Sequence, residues 1–144
     1  MCFFNKFKML HFKDIKLKWI ELLFLSMGAI LGAFVRYKIT SYPLIFGNNI
    51  SNVLTVNIIG SFILGVFSVL STSLNFDSKY SFLVAIGFCG SLTTMSSFAL
   101  ESVNMMENKQ FLYLGINIVS NVGLSILAIY GARILISKMI EGNL

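Results

Sequence analysis

Four long apolar blocks, separated by short polar segments, dominate the chain. They cover residues 19–35, 50–71, 80–106 and 111–136. A helix that crosses a bilayer needs about 20 mostly apolar residues. The segments between the blocks are too short to hold a soluble domain. We therefore predict an all-α integral membrane protein with four transmembrane helices, a multi-pass protein of the cell membrane whose single helical domain covers residues 20–140.

The composition and the first residues agree with a membrane location. The 144-residue chain is 56% hydrophobic and 12% charged, which excludes an ordinary soluble domain. Residues 1–19 form a basic flank with five lysines and one aspartate. We expect this flank to lie at an anionic lipid surface. A signal peptide is the alternative, but a 17-residue apolar core is long for one and no clear cleavage signature follows.

Positive charge gives an orientation only when the flank is counted. With four spans both termini share one side of the membrane, and this side carries eight basic residues against three on the other. Without the five lysines of the flank the count is three against three. Basic residues normally favour the cytoplasmic side. The core therefore has little orientation signal, as expected for a protein that inserts both ways up.

Polar residues recur on one face of two of the blocks. In the second block they are Asn57, Gly60, Ser61, Gly65 and Ser68; in the fourth they are Tyr113, Asn117, Asn121 and Ser125. Residues spaced by three or four share a helix face. Buried polar groups in a membrane face a neighbouring helix or a water-filled path. The stripes are consistent with interhelical contacts or with a lined pathway. Gly28 and Gly32 of the first block form a close-packing pattern.

The third block contains the stretch "GFCGSLTTMSSFALES", residues 87–102, where glycines and hydroxyl side chains interrupt an apolar run. We predict that the third helix is broken there. No span has a mid-membrane Asp, Glu, Lys or His for proton relay, and no catalytic set is present. We therefore expect a protein that is not an enzyme. The uncharged amide and hydroxyl donors suit an anion, and carbonyls freed at a helix break can hold a small cation.

Three motifs in order resemble one known family. They are "GAILGAFVRY" (28–37), "LTVNIIGSFILG" (54–65) and "GFCGSLTTMSSFALE" (87–101). Together they resemble the Fluc (CrcB) fluoride channels, and the resemblance covers roughly residues 20–136. It implies small four-helix subunits that pair as an antiparallel dual-topology dimer with two narrow fluoride pores. It also implies a passive channel that exports fluoride, with a structural sodium ion (Na+) at the dimer interface.

The resemblance assigns roles to particular residues. The sodium ion would be held by the backbone carbonyls of Gly90 and Thr93, with glycine permitting the helix break. The fluoride pore would be lined by Asn57, Thr94, Met95, Phe98, Asn117, Asn121 and Ser125, and the pore ends by Arg36 and Glu101. The family has a phenylalanine where this chain has Met95. The chain therefore either forms a homodimer in which Met95 shapes the pore wall, or is one half of a heterodimer with a paralogue.

Two other classes of function stay open from the sequence. A small dual-topology multidrug or cation exporter would need a carboxylate at mid-membrane in the first block, whereas Glu21 is at the start of that block. A non-conducting membrane scaffold would explain the packing glycines and the amides. It would not explain a glycine-containing break followed by Thr93 and Thr94. Fluoride is the expected partner, and nothing in the motifs points to nucleic acid.

Overall fold

The computed structural model of the protein describes residues 18–41 and 49–141. The helices are α1 (Trp19–Ser41), α2 (Asn49–Ser73), α3 (residues 78–92), α4 (Met95–Glu107) and α5 (Phe111–Glu141). In this described part, four helical segments are long and apolar enough to cross a membrane, with α3 and α4 together forming the third. The predicted multi-pass, four-helix membrane protein is confirmed. Of the basic flank 1–19, residues 1–17 lie outside the described residues.

Helix α1 continues past the end of the first apolar block, from Val35 to Ser41. The extension carries charged and polar side chains that the helix itself accommodates. The Lys38 ammonium lies 5.6 Å from the centre of the Phe34 ring. The Thr40 hydroxyl donates to the Arg36 carbonyl at 2.9 Å. Because a helical backbone satisfies its own hydrogen bonds, it can continue from the hydrocarbon into the headgroup region.

Helix α2 is the centre of the bundle and packs mainly against α5, while α1 packs mainly against α3. The α1–α3 contact is a close approach of two backbones. A Cβ atom built on Gly28 would meet the Leu83 carbonyl oxygen and lie 2.9 Å from the Phe88 nitrogen. On the facing helix, a Cβ on Gly87 would lie 2.6 Å from the Leu25 carbonyl oxygen. The predicted close-packing role of Gly28 is therefore confirmed.

The third membrane span is broken, as predicted, but not at a glycine. It begins with one α-helical turn, Ser78–Ser81, continues as a π-helix, Phe82–Cys89, and returns to α-helix at Gly90–Leu92. Thr93 and Thr94 then have extended backbones, with ψ of 152° and 107°. Gly90 has ordinary helical angles, φ −64° and ψ −29°. The expectation that glycine flexibility makes the break is wrong, because the chain leaves the helix three residues later.

Polar contacts hold the turn between α2 and α3 in place. Asp77 caps α3, since its carboxylate accepts from the Lys79 backbone N–H at 3.2 Å. That backbone hydrogen bond, together with the Lys79 ammonium at 3.5 Å, holds the pKa of Asp77 below its usual value. The Ser78 hydroxyl donates to Glu21 at 3.0 Å and so ties the start of α3 to α1.

Candidate functional site

A chain of hydrogen bonds links the break to three helices. The Thr94 backbone N–H donates to Asn57 Oδ1 at 2.8 Å, and Asn57 Nδ2 donates to Asn121 Oδ1 at 2.9 Å. Asn121 Nδ2 in turn donates to Asn117 Oδ1 at 2.8 Å. Asn117 Nδ2 reaches the Ser102 hydroxyl at 3.3 Å. The structure therefore brings together the predicted residues Asn57, Thr94, Asn117 and Asn121.

The orientation of these amides follows from the chemistry of the break. The Thr94 N–H would bond the Gly90 carbonyl in an uninterrupted α-helix. In this structure it donates to Asn57 instead, and a backbone N–H can only donate. Asn57 must therefore turn its oxygen towards Thr94 and its NH2 group towards Asn121. The same reasoning then orients Asn121 and Asn117, so all three amides donate in one direction.

A cavity of about 350 Å³ lies beside this chain of amides. Its walls include these predicted residues: Asn57, Gly90, Thr93, Thr94, Met95, Phe98, Asn121 and Ser125. The predicted Asn117 is buried behind Asn121 and does not line the cavity. Among the described residues, Asn57 uses one of its two amide hydrogens on Asn121, and no bond is formed by the other. The cavity thus has a free N–H donor at its polar side.

The predicted pore residues Met95 and Phe98 differ in burial. Phe98 is only 7% exposed, whereas Met95 is 72% exposed in the single chain. Both line the 350 Å³ cavity. Met95 is the first residue of α4 and Phe98 the fourth, so they lie about one turn apart. Phe98 is therefore part of the packed core, while Met95 covers the exposed side of the cavity.

A second cavity, of about 450 Å³, contains the predicted pore-end residues Arg36 and Glu101. Thr94 lines both cavities, so the two meet at the helix break. Among the described residues, Glu101 Oε2 is buried and has no hydrogen-bond partner. The start of α4 also lies here, because Ser96 and Ser97 line this cavity. The positive end of the helix dipole and the Arg36 guanidinium favour an anion at this position, whereas an ionised Glu101 carboxylate opposes one.

Thr94 holds the start of α4 through its side chain as well as its backbone. Thr94 is the N-cap of α4, because its hydroxyl accepts from the Ser97 backbone N–H, three residues later, at 3.2 Å. Ser97 and Ser102 were not predicted as site residues from the sequence. The spacing of Thr94 and Ser97 could have indicated the cap. No sequence signal places Ser102 beside Asn117, because the contact joins two helices.

The carbonyls of Gly90 and Thr93 have the chemistry that a sodium site needs. The Gly90 carbonyl is not bonded by the Thr94 N–H, which donates to Asn57. The Thr93 residue is extended, so its carbonyl lies outside the regular helix. Backbone carbonyls of this kind are suitable ligands for a small cation. Among the described residues, no group of three or more His, Cys, Asp or Glu could hold a metal ion.

The fold and the site define a small multi-pass membrane protein with a chain of uncharged polar side chains beside a broken helix. A family model described as "CrcB-like protein, Camphor Resistance (CrcB)" matches residues 23–133. A protein of Nitrosopumilus maritimus named "Fluoride-specific ion channel FluC" is 59% identical over 87% of this chain and 99% of its own length. A protein of Methanococcus aeolicus with the same name is 38% identical, over 80% and 94%. The chain belongs to the CrcB family.

Proposed function

We propose that the protein is a passive fluoride-selective ion channel that exports fluoride from the cytoplasm and lowers its concentration there. Relatives that match nearly their whole length are named fluoride-specific ion channels. The chain has the helices that a channel needs to cross the membrane. The multidrug exporter is not favoured, because Glu21 is at the start of α1 and bonds Ser78. The scaffold alternative does not account for the two adjoining cavities.

The observation that carries the proposal is the orientation of Asn57. Its oxygen is used by the Thr94 N–H and one amide hydrogen by Asn121, so the amide presents one N–H donor and not an acceptor to the cavity. A donor without a partner stabilises an anion and disfavours a cation. Fluoride holds its water tightly, and a selective pore must replace that shell with donors in a narrow lining. An uncharged amide can do this and still release the ion.

The direction of fluoride transport follows from the membrane potential, and no coupling to proton movement is needed. In acidic surroundings fluoride is protonated to hydrogen fluoride, a neutral molecule that crosses the membrane. Inside the cell it loses its proton and is trapped as the anion. A passive channel lets the anion leave, driven by the membrane potential. The described residues that line the 350 Å³ cavity, called the central cavity from here on, include no Asp, Glu, Lys, Arg or His that could relay a proton. The 450 Å³ cavity with Arg36 would collect the anion at one end of the path.

The proposal includes an antiparallel dual-topology dimer with sodium at its interface. Gly90 and Met95 line the central cavity and are exposed in the single chain, so a second subunit could complete the wall beside them. The Gly90 and Thr93 carbonyls of both subunits would hold the sodium ion. The equal basic counts of the core, three against three, are compatible with two opposite orientations. A homodimer is favoured, and a heterodimer with a paralogue is the alternative.

Efflux from liposomes tests the function. Purified protein is reconstituted with potassium fluoride inside, and valinomycin is added so that potassium can balance the charge. The channel should release fluoride quickly and retain chloride. An exporter would instead move organic cations against protons, and a scaffold would move neither. Chloride release at a rate comparable to fluoride release would contradict the assignment.

A further inference from the structure

Ser102 ends the chain of amides and, like Asn117, lines neither cavity. It is half-buried on α4. Its hydroxyl donates to the Phe98 carbonyl at 2.8 Å and accepts from Asn117 Nδ2 at 3.3 Å. We propose that Ser102 is a positioning residue for anion conduction, which sets the orientation of the Asn117 amide and, through Asn121, helps to fix the Asn57 donor. This inference rests on the proposed channel function.

The Phe98 carbonyl fixes the direction of the hydrogen bonds of the Ser102 hydroxyl. A hydroxyl can donate or accept, but a carbonyl can only accept. The Ser102 hydrogen is therefore used on Phe98, and the lone pairs of its oxygen remain for Asn117. The NH2 group of Asn117 must then face Ser102, which leaves Asn117 Oδ1 for Asn121. A group that only accepts thus fixes one end of the chain, as the Thr94 N–H fixes the other.

Loss of the Ser102 hydroxyl would affect the whole chain. Without it, the Asn117 NH2 group has no acceptor on α4, and the amide is free to rotate. In the present structure the Asn121 NH2 group donates to Asn117 Oδ1 at 2.8 Å. If the Asn117 amide rotated, two NH2 groups would face each other and this hydrogen bond would be lost. Asn121 Nδ2 also donates to the Asn117 backbone carbonyl at 3.1 Å, so Asn121 would keep its orientation but lose one of its two acceptors. The Asn121 amide would then be held less tightly, and the Asn57 donor that bonds it would be less well fixed.

The test compares substitutions that differ only in the hydroxyl. Threonine and valine have the same shape, so Ser102→Thr and Ser102→Val separate hydrogen bonding from packing. Ser102→Thr should keep fluoride efflux within about twofold of the wild type, while Ser102→Val and Ser102→Ala should slow it about two- to tenfold, the range expected for one hydrogen bond. The fluoride-to-chloride ratio should fall with the rate. Equal behaviour of the threonine and valine variants would overturn the inference.

Ser26→Ala is the matched control. The Ser26 hydroxyl makes the same kind of bond to the carbonyl four residues earlier, Leu22, at 2.8 Å, but it is exposed on α1 and touches no amide. The Ser26→Ala variant should release fluoride at the wild-type rate. In an Asn117→Ala background, Ser102→Ala should add nothing, and additive losses would contradict a role through Asn117. A protein that is silent both as the wild type and with Met95→Phe would overturn the channel function and this inference together, whereas an active wild type with unchanged Ser102→Val overturns this inference alone.

Discussion

The two helix contacts of the bundle are built by different means. Where α1 meets α3, glycines remove side chains and the backbones touch, with Gly28 against the Leu83 carbonyl. Next to the helix break, where α2 meets α5, amide side chains fill the space and bond one another, whereas farther along the same two helices Gly65 again allows a close approach. The first contact depends on shape and the second on the direction of hydrogen bonds. A membrane protein can therefore hold one pair of helices rigidly and still keep a polar path between the others.

The largest effect is expected at the α1–α3 contact, where close packing of the two backbones determines stability. Gly28→Ala places a methyl group against backbone atoms of α3, which cannot rotate away. Overpacking is destabilising even where side chains can adjust, and here only a separation of the two helices could relieve the clash. We expect a lower melting temperature in detergent and a lower yield of folded protein. The control is Gly115→Ala, where an added Cβ meets no atom within 4 Å. Equal stability of the two variants would show that the α1–α3 contact tolerates separation.

Phe98→Ala should have the next largest effect. The Phe98 side chain is 7% exposed, and removal of a buried phenylalanine costs about 3–5 kcal/mol. It also widens the central cavity, so fluoride efflux should fall strongly in the protein that remains folded. Phe111→Ala, at a residue 64% exposed at the start of α5, is the control and should change neither property. Wild-type efflux from Phe98→Ala would remove this ring from the pathway.

Asn57→Asp tests the direction of the hydrogen bonds. The carboxylate replaces the NH2 group that donates to Asn121, so two acceptors oppose each other and a negative charge faces the anion. We expect efflux to fall at least about tenfold, equivalent to about 1.4 kcal/mol, with the oligomeric state unchanged. Asn108→Asp makes the same change at an exposed site and serves as the control. Undiminished flux would exclude Asn57 from the pore.

The smallest effect is expected at Met95. This side chain is 72% exposed in the single chain and lines the cavity from its open side. If the homodimer conducts, Met95→Phe should change fluoride efflux only modestly, because the thioether already fills the position. A heterodimeric protein would behave differently. Its homodimer would be nearly silent, and Met95→Phe would raise the flux, so rescue of a silent wild type would reject the homodimer.

Apolar length predicted the four spans well, because the bilayer sets the length of a helix independently of its neighbours. The break was located less well. Glycines near residue 90 suggested it, yet the helix ends at Thr93 because the Thr94 N–H bonds Asn57 on another helix. Helical spacing predicted Asn117 and Asn121 as one polar face. The same spacing included Tyr113, which is 61% exposed and outside both cavities.

The features that the sequence did not predict depend on contacts between helices. The spacing of Gly60 and Gly65 placed them on a polar stripe, but each packs against a neighbour. An added Cβ on Gly65 would lie 2.8 Å from Ala132, and one on Gly60 would lie 2.5 Å from Thr93. A single sequence carries no information on which helix faces which. For the same reason it could not identify Ser102, whose role depends on α5.

The most direct test of the central claim, that the amides present donors and so select an anion, is the reversal potential of the current. The wild-type protein is reconstituted in a planar bilayer with a tenfold gradient of potassium fluoride. The account predicts a reversal at the fluoride equilibrium potential, about 59 mV in magnitude for a monovalent ion, with the sign of an anion. A reversal of the opposite sign would mean that potassium is carried, and it would contradict the account.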